Sequence, residues 1–116
     1  MKKIIILFAV VLSACTKTEY EILPPQLEII VTDTNKKIIS GVLISLFLNQ
    51  EDWEQELNPV YTGLTDNSGS IVFENLDEQI YLFRAEKEEL NNNNDIVSFK
   101  TPLKSGDKKI INTKIQ

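Results

Sequence analysis

Apolar and polar residues alternate along several short stretches of the chain with a period of two, which is typical of β-strands. The clearest example is residues 27–32, where Leu27, Ile29 and Val31 share one face. A second run, residues 38–48, is rich in β-branched residues and has apolar side chains on both faces. Because a strand covered on both sides shows that pattern, we expect this second strand to be central in its sheet.

The same alternation predicts five further strands, separated by turn-forming residues. They are residues 60–65, 70–74, 80–87, 96–100 and 108–115. Four turn formers in a row at 66–69 lie between the first two of these strands, so residues 60–74 are predicted to form a hairpin. The four asparagines at 91–94 predict a loop, because their side chains compete with regular structure for the backbone.

One polar segment, residues 50–57, interrupts this pattern. Its carboxylates surround Trp53 and Leu57, which lie four residues apart and would share one face of a helical turn. Asn58-Pro59 ends the segment. We therefore predict an all-β fold, an antiparallel β-sandwich of about seven strands, with a short helical insertion near residues 50–57.

The first 14 residues have the order of a secretory signal peptide. Lys2 and Lys3 precede the nine consecutive apolar residues 4–12. A helix of that length rises about 14 Å, whereas a bilayer core is about 30 Å thick. We therefore expect residues 1–14 to be a removable leader and not a membrane span.

The leader ends in Leu12-Ser13-Ala14-Cys15, which contains the only cysteine of the chain. These four residues resemble the lipobox of bacterial lipoproteins, in which the cysteine thiol receives a diacylglycerol and the chain is cut just before it. The resemblance implies a mature chain held on a membrane by lipid at Cys15, because two or three acyl chains anchor a protein stably. The alternative is that Cys15 is an inert thiol.

Three segments follow from these observations: a signal peptide at 1–14, a lipidated tether at 15–25 and a single domain at 26–116. The tether is polar and ends in Pro24-Pro25, which stiffens it. Ten extended residues reach about 30 Å, which would hold the domain clear of the lipid headgroups. The expected location is the outer membrane of the cell envelope, with its periplasmic or surface face left open.

Residues 27–87 carry a series of short motifs in a characteristic order. They are Val31-Thr32-Asp33, Ile39-Ser40-Gly41-Val42-Leu43-Ile44, Thr65-Asp66-Asn67-Ser68-Gly69-Ser70, Phe73-Glu74-Asn75-Leu76, and Tyr81 before Ala85. Together they resemble the carboxypeptidase regulatory-like, or transthyretin-like (prealbumin-like), β-sandwich family. The resemblance implies an Ig-like sandwich that acts as a non-catalytic accessory module, often at the cell envelope of Bacteroidetes.

Composition narrows the possible chemistry. The 116 residues include no histidine and one cysteine, so the commonest general base is missing and no internal disulfide can form. The net charge of −5 repels phosphate backbones, so we expect no nucleic-acid partner. We also expect no enzymatic activity, no cofactor and no metal site.

Trp53 and Tyr61 are the candidate contact residues, since aromatic side chains are frequent at binding hot spots. For Trp53 the alternative is a structural role as a lid over one edge of the sandwich. The leading hypothesis is a non-enzymatic outer-membrane lipoprotein that contacts another envelope protein. The alternative is a carbohydrate-binding accessory lipoprotein that binds a glycan through Trp53, Tyr61 or the asparagine loop.

Overall fold

The computed structural model describes residues 22–95 and 101–116. The strands are β1 (Gln26–Thr32), β2 (Leu43–Phe47), β3 (Tyr61–Leu64), β4 (Ser70–Phe73), β5 (Leu82–Lys87), β6 (Leu90–Asn91) and β7 (Lys108–Lys114), and helix α1 is Gln50–Gln55. The predicted leader, Cys15 and the predicted strand at 96–100 lie outside the described residues.

The strands form two sheets that face each other across the core. Sheet A has the order β4-β1-β7, and sheet B has the order β3-β2-β5-β6. The predicted all-β, sandwich-like class with one short helix is confirmed. The prediction that the strands are antiparallel throughout is wrong, because β1 and β7 start at the same end of sheet A and pair in parallel.

The hairpin predicted over residues 60–74 does not form. β3 belongs to sheet B and β4 to sheet A, so the turn at 66–69 joins the two sheets. The Asp66 carboxylate holds this turn by accepting the backbone N–H groups of Ser68 at 2.8 Å and Ser70 at 3.2 Å. Gly69 takes a φ of 72°, which favours glycine. Turn-forming residues therefore predicted a reversal, but not whether its flanking strands pair.

The core lies between the inner faces of the two sheets. Leu27, Ile29 and Val31 of β1 are fully buried, as their alternation predicted. Side chains of both sheets and of the segments next to the strands complete the cluster, among them Val42, Ile44, Leu46, Phe73, Leu76, Tyr81, Phe83, Ala85, Leu103, Ile111 and Ile115. Burying one large apolar side chain contributes about 1.5–3 kcal/mol, so these residues supply most of the driving force for folding.

β2 pairs with β3 on one side and β5 on the other, so its predicted central position is confirmed. Phe47 is out of step with Ile44 and Leu46, which face the core, and so lies on the outer face of sheet B, the face turned away from the core. It is nevertheless only 2% exposed. α1 packs against β2 and β5 and covers this part of the sheet.

α1 starts and stops at identifiable residues. The Asn49 side chain accepts the backbone N–H of Asp52 at 2.8 Å and caps the first turn. The helix ends at Glu56, which has a left-handed φ of 55°. No residue of α1 is fully buried, so the helix is held by a few specific contacts and not by a deep apolar face.

Candidate functional site

Trp53 lies in α1 and is half-buried on the outer face of sheet B. Its indole Nε1–H donates a hydrogen bond of 2.9 Å to the Phe83 carbonyl oxygen in β5. The Arg84 guanidinium carbon lies 4.3 Å from the centroid of the Trp53 ring. That distance is within the range of a cation–π interaction. The only donor of the indole and one face of its ring are therefore engaged inside the molecule.

Arg84 connects α1 to β5 and to the segment after β6. Its Nε donates to the Trp53 carbonyl oxygen at 2.6 Å, and its Nη1 donates to Asn93 Oδ1 at 2.9 Å. Its Nη2 lies 3.5 Å from the Glu54 carbonyl oxygen. The Trp53 and Glu54 carbonyl groups belong to the last turn of α1, where backbone carbonyls lack helical partners and attract a cation.

Sequence reasoning did not identify Arg84 as a functional residue. The available signal was that it is the only arginine among the 12 basic residues of the chain. A planar guanidinium has five N–H donors in a fixed geometry and can stack flat on an aromatic ring, whereas a lysine ammonium has three donors and no plane to stack. Arg84 and Trp53 are 31 residues apart in the sequence, so a local pattern could not indicate that they pair.

A small cavity of about 190 Å³ opens beside Arg84 and is lined in part by Glu56, Glu86 and Glu88. A hydrogen bond with the Glu56 side chain raises the pKa of Glu86, and burial raises it further, while the charge of Arg84 lowers it. Two carboxyl groups that share a proton favour the protonated form of one of them. In residues 22–95 and 101–116, no group of three acidic, cysteine or histidine side chains is arranged to hold a metal ion.

Tyr61 begins β3, which is an edge strand of sheet B, and Tyr61 is 38% exposed. Its ring centroid lies 6.4 Å from that of Phe73 and 6.3 Å from that of Tyr81, distances at which tilted aromatic rings attract each other. Tyr61 pairs with Leu46 and so lies on the inner side of sheet B, whereas Trp53 lies on the outer side. The structure therefore does not bring the two candidate aromatic residues together.

Gly63, two residues further along β3, allows β3 to lie close to sheet A. A Cβ atom at this position would overlap Cδ1 of Ile71 in β4. Because Gly63 has no side chain, Ile71 can fill the space between β3 of sheet B and β4 of sheet A.

The asparagine segment is more ordered than the predicted loop over residues 91–94. Asn91 belongs to β6, and Asn92 is only 3% exposed. Asn92 Oδ1 accepts the backbone N–H of Ala85 at 3.0 Å, and its Nδ2 lies 3.4 Å from Thr113 Oγ1. The loop prediction is wrong for Asn91, which lies in a strand. Asn92 lies in the loop, but its side chain joins the two sheets as a buried polar bridge.

The chain reaches the domain at the end of sheet A where β1 and β7 begin. The Leu23 carbonyl oxygen accepts the backbone N–H of Gly106 at 2.7 Å, and Gln26 donates its backbone N–H to Asp107 at 3.0 Å. Pro25 is buried, and its carbonyl oxygen accepts the backbone N–H of Leu76 at 3.2 Å. Among the helices of the described residues, none has the length and apolar character needed to cross a membrane.

Comparisons with known proteins bear on the fold alone. No model of a known protein family matches the chain, and no curated protein matches it in sequence. Among solved structures, the chain is similar to the Bacillus anthracis TIE protein, with a TM-score of 0.50 and 17% sequence identity. The match covers 79% of this chain and 16% of the other, so the chain spans only a small part of that protein.

Proposed function

We propose that this protein is a non-enzymatic lipoprotein of the cell envelope. In this proposal, acylated Cys15 anchors the chain to the outer membrane, and a transthyretin-like, Ig-like sandwich contacts another envelope protein. The lipobox-like residues 12–15 after an apolar leader support the anchor, and the motifs within residues 27–87 support the type of sandwich.

The observation that carries the proposal is the way the chain before β1 is fastened to the domain. Leu23 and Gln26 are hydrogen-bonded to the segment that begins β7, and Pro25 is buried between them. β1 leads away from this point, so the turns at 33–37 and 66–69 lie at the opposite end of the sandwich. An anchor upstream of Leu23 would therefore present that opposite end to a partner.

The position of Trp53 favours a protein partner over the carbohydrate-binding alternative. A sugar that stacks on tryptophan needs a free ring face, and polar groups nearby must be available to its hydroxyls. Trp53 has one ring face against Arg84 and its N–H bonded to Phe83. Tyr61 is partly exposed and remains the aromatic residue that a glycan could reach.

The anchor is tested by expressing the full chain in a bacterium with an outer membrane and comparing it with Cys15→Ala. We expect the native chain to stay in the membrane fraction after a carbonate wash and to incorporate labelled fatty acid, and Cys15→Ala to lose both properties. Thr16→Ala, which changes the residue just after the lipobox, should behave like the native chain. Membrane retention of Cys15→Ala, or a mature chain whose mass includes residues 1–14, would contradict the proposal.

The partner is tested separately, by affinity capture of the acylated protein from cross-linked cells. We expect a reproducible envelope protein whose capture is lost when the turns at 33–37 and 66–69 are replaced by glycine-serine segments. Repeated capture without any envelope protein would count against this part of the proposal. A glycan array probed with the native chain and Tyr61→Ala measures the carbohydrate alternative.

A further inference from the structure

Sheet edges expose unpaired backbone groups, and proteins commonly protect them with charges or with other chain segments. The β6 edge of sheet B is covered by Gln116, because Asn91 and Gln116 exchange backbone hydrogen bonds of 3.3 and 2.9 Å. The β4 edge of sheet A is protected at one end by Asp66. Its backbone N–H donates to the Ser70 carbonyl at 2.9 Å, and its carboxylate accepts the Ser70 N–H at 3.2 Å.

β7 carries the charged side chains Lys108, Lys109 and Lys114 along its length. Lysine on an edge strand opposes pairing with another chain, because the incoming strand must bury or displace the charge. Three of the four outer strands therefore have an identifiable protective device. The exception is β3.

β3 has none of these protective features within the described part of the chain. Residues 58–65 contain no charged side chain, and β3 pairs only with β2. Thr65 donates its backbone N–H to Val42 at 3.0 Å. Since successive residues of a strand point their N–H and C=O groups to opposite sides, Leu64 and Thr62 direct theirs away from β2. The Leu64 side chain is also 62% exposed.

We propose that β3 pairs with β3 of a second copy of this chain, antiparallel about a twofold axis at Gly63. In this register Thr62 of each copy lies opposite Leu64 of the other. Thr62 and Leu64 each direct one N–H and one C=O outward. Each of the two Thr62–Leu64 pairs therefore forms two hydrogen bonds, one in each direction. The result is one continuous sheet built from the two copies of sheet B.

The uncharged edge of β3 favours a second copy as the occupant. The twofold register places Asp66 opposite Val60, so no like charges face each other across the new pair. Gly63 meets its own symmetry mate on the twofold axis in a pair that exchanges no hydrogen bonds, because its N–H and C=O groups point to β2. A strand that is uncharged and matches itself needs no complementary sequence in a different protein.

The expected dimer is weak. A single edge of four residues gives an interface at the small end of specific contacts, so we expect a dissociation constant of about micromolar. The net charge of −5 makes the two copies repel each other. Added salt screens this repulsion and should tighten the dimer. An association driven by lysine–carboxylate contacts would show the opposite salt dependence.

The test uses the full chain in mild detergent, with its mass measured by analytical ultracentrifugation over a range of concentration and salt. Thr62→Pro removes an outward N–H that β2 does not use, and proline is tolerated at such an edge position. Leu64→Lys adds a charge to the same edge and serves if the proline variant does not fold. Thr62→Ala keeps the N–H, and Val72→Lys places the same charge on the exposed outer face of sheet A.

We expect the native chain, Thr62→Ala and Val72→Lys to form dimers of similar strength that tighten with salt. Thr62→Pro and Leu64→Lys should weaken the dimer by about tenfold or more. All variants have the same residues upstream of the domain, so association through the leader or through acylated Cys15 would be equal in all of them. A monomeric native chain, a dimer unaffected by both edge variants, or a dimer that weakens with salt would each overturn the proposal.

Discussion

The outer faces of the two sheets are built differently. Sheet B carries α1, which covers Phe47 and is held by Trp53 and Arg84. The outer face of sheet A is exposed to solvent. There Glu28 lies between Val72 and Ile110, which are 39% and 55% exposed. Glu28 forms a salt bridge of 3.0 Å with Lys108.

This difference explains why the alternation of apolar and polar residues is clear in β1 and mixed in β2. A strand with one face in water alternates, as β1 does at every position except Ile30. A strand covered on its second face over only part of its length mixes both patterns, as β2 does: Phe47 is buried on the outer face, whereas Leu43 on the same face is 40% exposed. The helix therefore determines where the apolar residues of β2 are needed.

The largest expected effect is the loss of the side chain under the helix. Phe47→Ala leaves a cavity between β2 and α1 and should lower the free energy of unfolding by about 3 kcal/mol. Ile110→Ala, the matched change on the exposed face of sheet A, should cost less than about 0.5 kcal/mol. Urea denaturation measures both. Equal losses would show that α1 does not bury Phe47 in solution.

The next largest effect is the loss of the contact that holds the helix. Trp53→Ala removes the packed ring, the bond to Phe83 and the interaction with Arg84, and should cost about 2 kcal/mol. Trp53→Phe keeps a ring but removes the N–H donor, so about 1 kcal/mol is expected. Thermal unfolding followed by circular dichroism gives both values.

The Trp53→Ala experiment also distinguishes a lid from a binding contact. If Trp53 is a lid, the melting temperature falls while binding to a captured partner or glycan is unchanged. A normal melting temperature with lost binding would instead assign Trp53 to the contact surface.

The smallest expected effect depends on pH. The pKa of Glu86 is raised above its ordinary value of 4.5, chiefly by the hydrogen bond with Glu56. The folded state therefore binds this proton more tightly than the unfolded state. The resulting stabilisation is fully present below about pH 4.5 and is lost as the pH rises through the raised pKa.

Glu86→Gln should remove this loss, so its melting temperature should fall less than that of the native chain as the pH is raised from acidic to neutral. Glu56→Gln should have the same effect, because it removes the repulsion between the two carboxylates. Melting temperatures of the three proteins measured at matched ionic strength give the comparison. Parallel pH profiles would show that the two side chains do not interact.

Local patterns were sufficient to predict part of this fold. Alternation identified the inward face of β1, where Leu27, Ile29 and Val31 are buried. It also overextended β2, since Leu48 lies beyond the strand and is 46% exposed. The short helix was predicted as well, because an i,i+4 apolar pair and a following Asn-Pro are local signals.

Long-range pairing could not be predicted from the same patterns. The parallel contact of β1 with β7, the division of β3 and β4 between two sheets, and the bridge at Asn92 all depend on residues far apart in sequence. The same limit applies to the candidate site: Trp53 was identified from its own neighbourhood, but its partner Arg84 is contributed by β5. The predicted contacts of Trp53 and Tyr61 with a partner stay predictions.

The parallel pair of β1 and β7 has a mechanical consequence. Tension applied to the chain upstream of Gln26 would act along β1, which is flanked by hydrogen-bonded strands on both sides. Such a load is spread over the whole register in shear and does not open the bonds one after another. We therefore expect the domain to resist a force applied along β1 from its amino terminus better than a force of the same size applied at right angles to the strands.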